Sequence, residues 1–310
     1  KLPRGQNKLV RTLNLIYTIR KYSKDFNSIL CCGLILETYM SQIGLKNKKI
    51  YRFVSDSIWD KYLSKTNDIY FREKNNLLLK LLFFFRNRIL NSFNLIITPS
   101  EFLRKYCEER IKVKNIKTIS NFASVNKDKL NKFSISSNSI LKKKINLVVI
   151  SRLIEVKNIN YLIEAFKELP NFNLHIYGTG PEENIYKNYI SRNNISNIFL
   201  YGIKKRYEIF NALINYDCFI QISSYEGMSF SILEALYLNK PLILSNIEPN
   251  FETAKTAAFY VNPKSIPQIR ETIKLIRFPE IRKIMKENSE KVSTKFYEKN
   301  KSLNSYYNEL

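Results

Sequence analysis

Histidine, glycine and acid are what this chain is short of. Its 310 residues include one His, 7 Gly and 27 Asp+Glu against 51 Lys+Arg. A Ser-His-Asp triad would have to use His175, which lies mid-strand with nothing nucleophilic beside it. At that position a core residue and a general base both stand as readings. The four cysteines, Cys31, Cys32, Cys107 and Cys218, show no C-x-x-C spacing, and no His/Cys cluster has the spacing of a zinc site. They read as structural thiols of a reducing compartment. Cys31 and Cys32 are neighbours on an expected strand and should point to opposite faces. There is no D-x-D pair to hold a metal-bound diphosphate. No metal or other cofactor is therefore expected, and any phosphate must be met by protein cations and backbone N–H groups. No apolar run approaches the ~20 residues of a bilayer span, and no signal peptide is recognisable.

The length exceeds what one hydrophobic core usually serves, which implies two domains. Apolar strands are expected at 28–32, 49–54, 94–98 and 116–119. A second set is expected at 145–150, 172–177, 197–201, 217–222, 241–245 and 258–261, with helices between them. That alternation predicts an α/β protein with two Rossmann-like, doubly wound parallel sheets. We expect a first domain over 1–122, a polar linker over 123–144, a second domain over 145–265, and C-terminal helices over 266–310 that pack back toward the first domain. The first set of strands is short for a doubly wound domain and the chain opens on Lys1, so we expect that domain to begin upstream.

The charge is lopsided. Residues 1–144 hold 30 Lys+Arg and 10 Asp+Glu, a balance of +20, and residues 145–310 hold 21 and 17, a balance of +4. Compositional bias would act on both halves alike, so the asymmetry points to an anionic membrane surface or an acidic acceptor. Nucleic acid is the rival partner, but no recognition-helix pattern or aromatic-basic strand motif supports it. An expected helix over 75–92 places Phe83, Phe84 and Phe85 beside Lys80, Arg86 and Arg88, as core residues or as membrane anchors.

Ligands of open parallel sheets bind at the carboxyl ends of the strands. Three loops there carry polar residues of interest. Ser151-Arg152-Leu153 with Lys157-Asn158 offers a guanidinium fork and a point charge suited to a diphosphate. In so basic a chain a solvated pair is the competing reading. Tyr177-Gly178-Thr179-Gly180-Pro181 begins like a dinucleotide fingerprint and stops short of G-x-G-x-x-G. The third loop runs from Ser223 through Tyr225-Glu226-Gly227-Met228-Ser229 into an apolar helix carrying Glu234. A strand, a glycine turn and a helix N-terminus make a ready anion site, and two glutamates bracket this one.

In register, these pieces resemble the donor half of a family 4 glycosyltransferase of GT-B architecture. Leu200-Tyr201-Gly202, the E-x7-E pair and Leu238-Asn239-Lys240-Pro241 extend the match. In the first half Leu2-Pro3-Arg4-Gly5, Val54-Ser55-Asp56-Ser57-Ile58-Trp59-Asp60 and Thr98-Pro99-Ser100-Glu101 carry a weaker one. The resemblance implies a cytoplasmic, retaining, metal-independent enzyme of cell-envelope polysaccharide synthesis, peripheral on the inner membrane face. It would move a sugar from a nucleotide-sugar to a hydroxyl of a glycan or lipid-linked acceptor. It assigns Arg152 and Lys157 to the donor diphosphate, Glu226 to the donor sugar and Glu234 to the ribose. Backbone N–H groups of Gly227, Met228 and Ser229 would meet the phosphates, and Gly202-Ile203 would lie against the nucleobase. Many members carry an acceptor-side histidine; here Asp56 is the candidate for that place, and a turn cap beside Trp59 is its other reading. Two family glycines are replaced by Asn158 and Asn239, which tolerate left-handed backbone. A nucleotide-sugar epimerase on the same fold and a basic nucleic-acid-binding protein are the alternatives.

Overall fold

The computed structural model describes residues 8–33, 35–56, 58, 77–123, 144–294 and 304–309. The expected linker, apart from its end residues 123 and 144, lies outside them, as do the Pro3-Arg4-Gly5 turn, Trp59 and the first two residues of the expected 75–92 helix. The chain forms two compact units, Lys1–Ser120 with Asn300–Leu310, and Asn121–Lys299.

In the first unit α1 (Lys8–Tyr22) leads to β1 (Ser28–Cys32), α2 (Ile35–Gln42), β2 (Lys48–Arg52), α3 (Leu77–Leu90), β3 (Leu95–Thr98), α4 (Glu101–Tyr106, prolonged by a π turn at Cys107–Ile111) and β4 (Ile116–Thr118). The strands are parallel in the order β1-β2-β3-β4. All four residues of β3 are buried, as a strand covered on both faces requires. Helix α4 starts where Ser100 accepts a hydrogen bond from the Leu103 N–H at 3.3 Å. Cys31 is buried and Cys32 exposed, on opposite faces of β1. Tyr306 packs on the core of Ile50, Leu95, Ile97 and Ile119.

The second unit holds β5 (Ile145–Ile150), α5 (Ile159–Lys167), β6 (Phe172–Tyr177), α6 (Glu183–Arg192), β7 (Ile198–Gly202), α7 (Arg206–Asn215), β8 (Cys218–Gln221), α8 (Phe230–Tyr237), β9 (Leu242–Ser245), α9 (Glu248–Ala254), β10 (Ala258–Val261), α10 (Ile266–Leu275) and α11 (Pro279–Ser293). Its sheet is parallel in the order β10-β9-β8-β5-β6-β7. Alternate residues of β5 enter different cores: Leu147 and Val149 meet α5 and α10, while Val148 meets α7 and α8. Helices thus cover both faces. Ile269, Ile273 and Ile276 of the α10 region and Met285 of α11 bury in the first of these cores. The C-terminal helices expected to lean toward the first domain therefore divide. Their apolar spacing holds α10 and α11 on the second sheet, and only the last residues cluster with the first unit.

The winding direction reverses at one place. From β5 the chain steps outward through β6 and β7; it then returns to the other side of β5 for β8 and steps outward again through β9 and β10. The carboxyl ends of β5 and β8 flank that switch point, where open α/β sheets bind ligands.

Candidate active site

Two loops meet at the switch point. The loop after β5 carries Arg152 and Lys157, and the loop after β8 carries Ser223 and Glu226. Backbone joins them, since the Ser224 N–H donates to the Val156 carbonyl at 2.8 Å. Asn158 adds a side-chain clamp, with Nδ2 donating to the Ile222 carbonyl at 2.8 Å and to Ser224 Oγ at 2.7 Å. It holds φ 54°, a left-handed turn that Asn tolerates better than most residues. A third loop supports the first from beneath. The Leu153 N–H donates to the Thr179 carbonyl at 2.9 Å and the Ser151 N–H to the Tyr177 carbonyl at 3.0 Å. A Cβ on Gly178 would overlap the Ser151 carbonyl, and one on Gly180 the Leu153 carbonyl. The G-x-G-P stretch is therefore glycine because backbone lies on backbone.

Glu226 is 8% exposed. Three donors converge on its Oε1: Lys157 Nζ at 2.5 Å, Gln221 Nε2 at 2.6 Å and Ser223 Oγ at 2.6 Å. No donor to its Oε2 is found among the described residues. Gln221 is held in turn by Ser231 Oγ, which donates to Gln221 Oε1 at 2.9 Å, and Ser229 Oγ lies 2.9 Å from Ser231 Oγ. One buried polar network therefore ties the glutamate to the N-terminus of α8. That terminus has no side-chain cap, so its first N–H groups and its positive dipole end remain for an anion. Met228 itself is buried against Leu233 and Ala123, which leaves only its backbone for a ligand.

Glu234 lies one turn into α8, buried, and Arg206 Nη2 donates to its Oε1 at 2.6 Å. Burial raises the Glu234 pKa above the ordinary carboxylate range, and Arg206 opposes that rise. Arg152 is exposed, with no ion pair among the described residues. Gly202 takes φ 66° and turns Ile203 outward, 78% exposed.

Asp56 occupies a different kind of place from the one expected for an acceptor-side base. It is 1% exposed, Arg86 pairs with its Oδ2, and Tyr106 Oη donates to the same oxygen at 2.6 Å. The Ile58 N–H donates to Oδ1 at 3.0 Å. Both oxygens are engaged inside the first unit, and the turn-cap reading describes its geometry. His175 is also enclosed. Its ring stacks on Tyr216 at 4.2 Å, Nε2 lies 2.9 Å from Asn146 Oδ1, and Nδ1 lies 3.0 Å from Tyr201 Oη. Among the described residues no three His, Cys, Asp or Glu side chains gather as a metal site.

Residues 131–292 match the family described as Glycosyl transferases group 1. The chain belongs to that family. A segment of 161 residues is 27% identical to the UDP-N-acetylglucosamine–peptide N-acetylglucosaminyltransferase GtfA subunit of Streptococcus pneumoniae serotype 4, covering 50% of this chain and 32% of that protein. The match thus spans about a third of that relative's length. Among solved structures, sucrose-phosphate synthase from Thermosynechococcus elongatus superposes with a TM-score of 0.78 at 13% identity, over 100% of this chain and 80% of that one. A mutant of TarM from S. aureus, in complex with fondaparinux, alpha-GlcNAc-glycerol and UDP, gives 0.75 at 18% identity, over 96% and 58%. At such identities these likenesses show the fold, that of GT-B glycosyltransferases.

Proposed function

We propose that this glycosyltransferase moves a sugar from a UDP-sugar to a hydroxyl of a glycan or lipid-linked acceptor, with retention and without a bound metal. The observation that carries the reading is the Lys157–Glu226 pair at the switch point, beside the open N-terminus of α8. The diphosphate would sit on that terminus, met by Arg152 and by Lys157 once it turns from Glu226. The carboxylate so freed, with Oε2 already unengaged, would face the donor sugar. As the bond from the sugar's anomeric carbon to the diphosphate breaks, negative charge grows on the departing phosphate oxygen. Fixed cations and N–H dipoles stabilise such charge without reorganising. The acceptor oxygen bonds to the same face and its proton leaves with the diphosphate. The named relative and the TarM complex both involve UDP, which supports the choice of nucleotide.

Calorimetric titration of the full chain with UDP tests this reading. A hydrogen bond to a charged group is worth about 1.5–3 kcal/mol, so Arg152→Ala and Lys157→Ala should each weaken binding roughly ten- to a hundredfold. Unchanged affinity in both variants would sink the assignment.

A cytoplasmic enzyme working at an anionic membrane surface is part of the same reading. Helix α3 buries Leu79, Phe83 and Leu90 yet leaves Leu77, Leu78, Leu81, Phe84 and Phe85 exposed. At 100° per residue these five share an arc of about 120°. The helix carries no acid; Lys80 is exposed beside the arc and Arg88 within it. A helix apolar on both sides calls for cover, and a half-chain of +20 favours anionic lipid as that cover. No helix among the described residues is long and apolar enough to cross a membrane. Leu81→Glu with Phe84→Glu should abolish co-sedimentation with anionic vesicles; equal binding by the variant, or to neutral vesicles, removes the membrane claim.

A further inference from the structure

Both glutamates of the candidate site are ion-paired, but their cations differ in kind. Lys157 belongs to the loop already assigned to the diphosphate. Arg206 belongs to no motif: it opens α7, four residues beyond Gly202, on the far side of the sequence from the E-x7-E helix. Its guanidinium nevertheless reaches across to Glu234 Oε1 at 2.6 Å and lies over the Phe210 ring at 5.2 Å. Arg206 is 59% exposed on its side chain whereas Glu234 is 12% exposed. The cation is thus the exposed partner of the pair and the acid the buried one.

We propose that Arg206 is a positioning residue of the nucleotide site, holding Glu234 charged and aimed so that it can accept both ribose hydroxyls. The role rests on the reading of Glu234 as the ribose acceptor. An ionised carboxylate offers acceptors only, which suits two hydroxyl donors; a protonated one spends an oxygen as a donor. Burial works against the ionised form of Glu234, and Arg206 is the charge that works for it. Among the described residues Arg206 is the charge that acts on this carboxyl, and none from β8, α9 or α11, the elements packed on α8, joins it. Phe210, fixed in the core beneath, keeps the guanidinium over Glu234. An arginine paired at Oε1 leaves Oε2 for the ligand, the arrangement that Lys157 imposes on Glu226.

The test compares UDP with 2′,3′-dideoxy-UDP by calorimetry on the full chain, for wild type, Arg206→Ala and Arg206→Lys, at about pH 8 and about pH 6. Wild type should prefer UDP by roughly ten- to a hundredfold at both values. Removing Arg206 lets the Glu234 pKa climb, and affinity that needs the carboxylate is lost as pH falls through that pKa. Arg206→Ala should therefore keep part of the preference at the higher pH and lose it at the lower, while Arg206→Lys keeps it at both. If Arg206→Ala weakens both nucleotides equally and without pH dependence, the arginine serves the phosphates or only the fold, and the proposal is overturned. If wild type itself fails to prefer UDP, the ribose reading of Glu234 falls first and takes the role of Arg206 with it.

Discussion

Asp56 and Glu226 look alike in sequence and are opposites in space. Each acid stands a few residues past the carboxyl end of a parallel strand, β2 in one unit and β8 in the other, and each is paired with a cation. Asp56 has both oxygens engaged, by Arg86 and Tyr106 on one and the Ile58 N–H on the other. Glu226 receives three donors on one oxygen and leaves the second open. A carboxylate satisfied on all sides holds a fold together, while one satisfied on a single side is aimed. The difference lies in which partners the tertiary structure delivers, and a strand-end position alone does not reveal it.

The largest expected effect breaks the closed acid. Removing one partner of a buried ion pair costs about 3–5 kcal/mol, because the other charge is left uncompensated. Asp56→Ala should strip that much from the first unit's stability, and denaturant unfolding reads it. Burial already lowers the Arg86 pKa, so the orphaned guanidinium is a real burden. A stable Asp56→Ala protein with lost turnover and intact UDP binding would instead make Asp56 a catalytic group and erase the contrast. The open acid should answer in the other way. Glu226→Gln keeps volume and removes charge, so kcat should fall roughly 10²–10³-fold with UDP affinity nearly kept, the signature of an interaction made in the transition state. Normal turnover in that variant would reduce Glu226 to a turn residue.

Strands and their order of appearance were legible in the sequence. All ten lie within two residues of the runs that announce them; the fully buried ones, such as β3 and β9, are apolar nearly throughout because they are covered on both faces. The E-x7-E turn and the basic loop before it were legible as well, since both sit directly after such strands. Other features are spatial facts without a local signal. Arg86 and Tyr106 reach Asp56 from 30 and 50 residues away, and nothing near Val54-Ser55-Asp56 forecasts them. Arg206 is one of 51 basic residues until α7 swings it over α8. Gln221 and Ser223 were hidden for a different reason: a strand-end Gln and a loop Ser are common, and only their convergence on Glu226 gives them meaning. The pattern that could have found Gln221 is a polar residue ending an otherwise apolar buried strand.

His175 sharpens the comparison, being enclosed like Asp56 but uncharged. Burial lowers its pKa from 6.5 to about 4. The unfolded chain therefore binds a proton that the folded chain refuses between those values. The stability this group contributes is complete above pH 6.5 and is lost as pH falls toward 4, by up to about 1.4 kcal/mol per pH unit. His175→Phe keeps a ring for the Tyr216 stack and removes the titration. The two urea midpoints should thus keep a constant difference above pH 6.5, and below it the wild-type midpoint should fall more steeply than that of the variant. Parallel pH profiles would show that His175 is solvated enough to titrate freely.

The smallest expected effect asks whether an unengaged polar atom marks a site at all. Asn158 and Asn239 both hold left-handed backbone, at φ 54° and 51°, a conformation that favours glycine. Asn158 spends its amide on Ile222 and Ser224 and so joins the two loops of the site. Asn239 follows the C-terminal end of α8, away from its uncapped N-terminus, and its Oδ1 is buried with no hydrogen-bond partner among the described residues. By the criterion drawn from Glu226 that oxygen would be aimed; by its location it is only a cost. Glycine relieves the left-handed strain in both places and loses some conformational entropy in return. What then decides the sign is the side chain. Asn158→Gly forfeits two hydrogen bonds and should destabilise by about 1–2 kcal/mol. Asn239→Gly forfeits none, removes a buried unpaired acceptor, and should stabilise by about 0.5–1 kcal/mol. UDP affinity should drop in the first variant and stay put in the second. A loss of affinity in Asn239→Gly would mean that this far end of α8 takes part in the site, and that an open polar atom deserves the functional reading wherever it occurs.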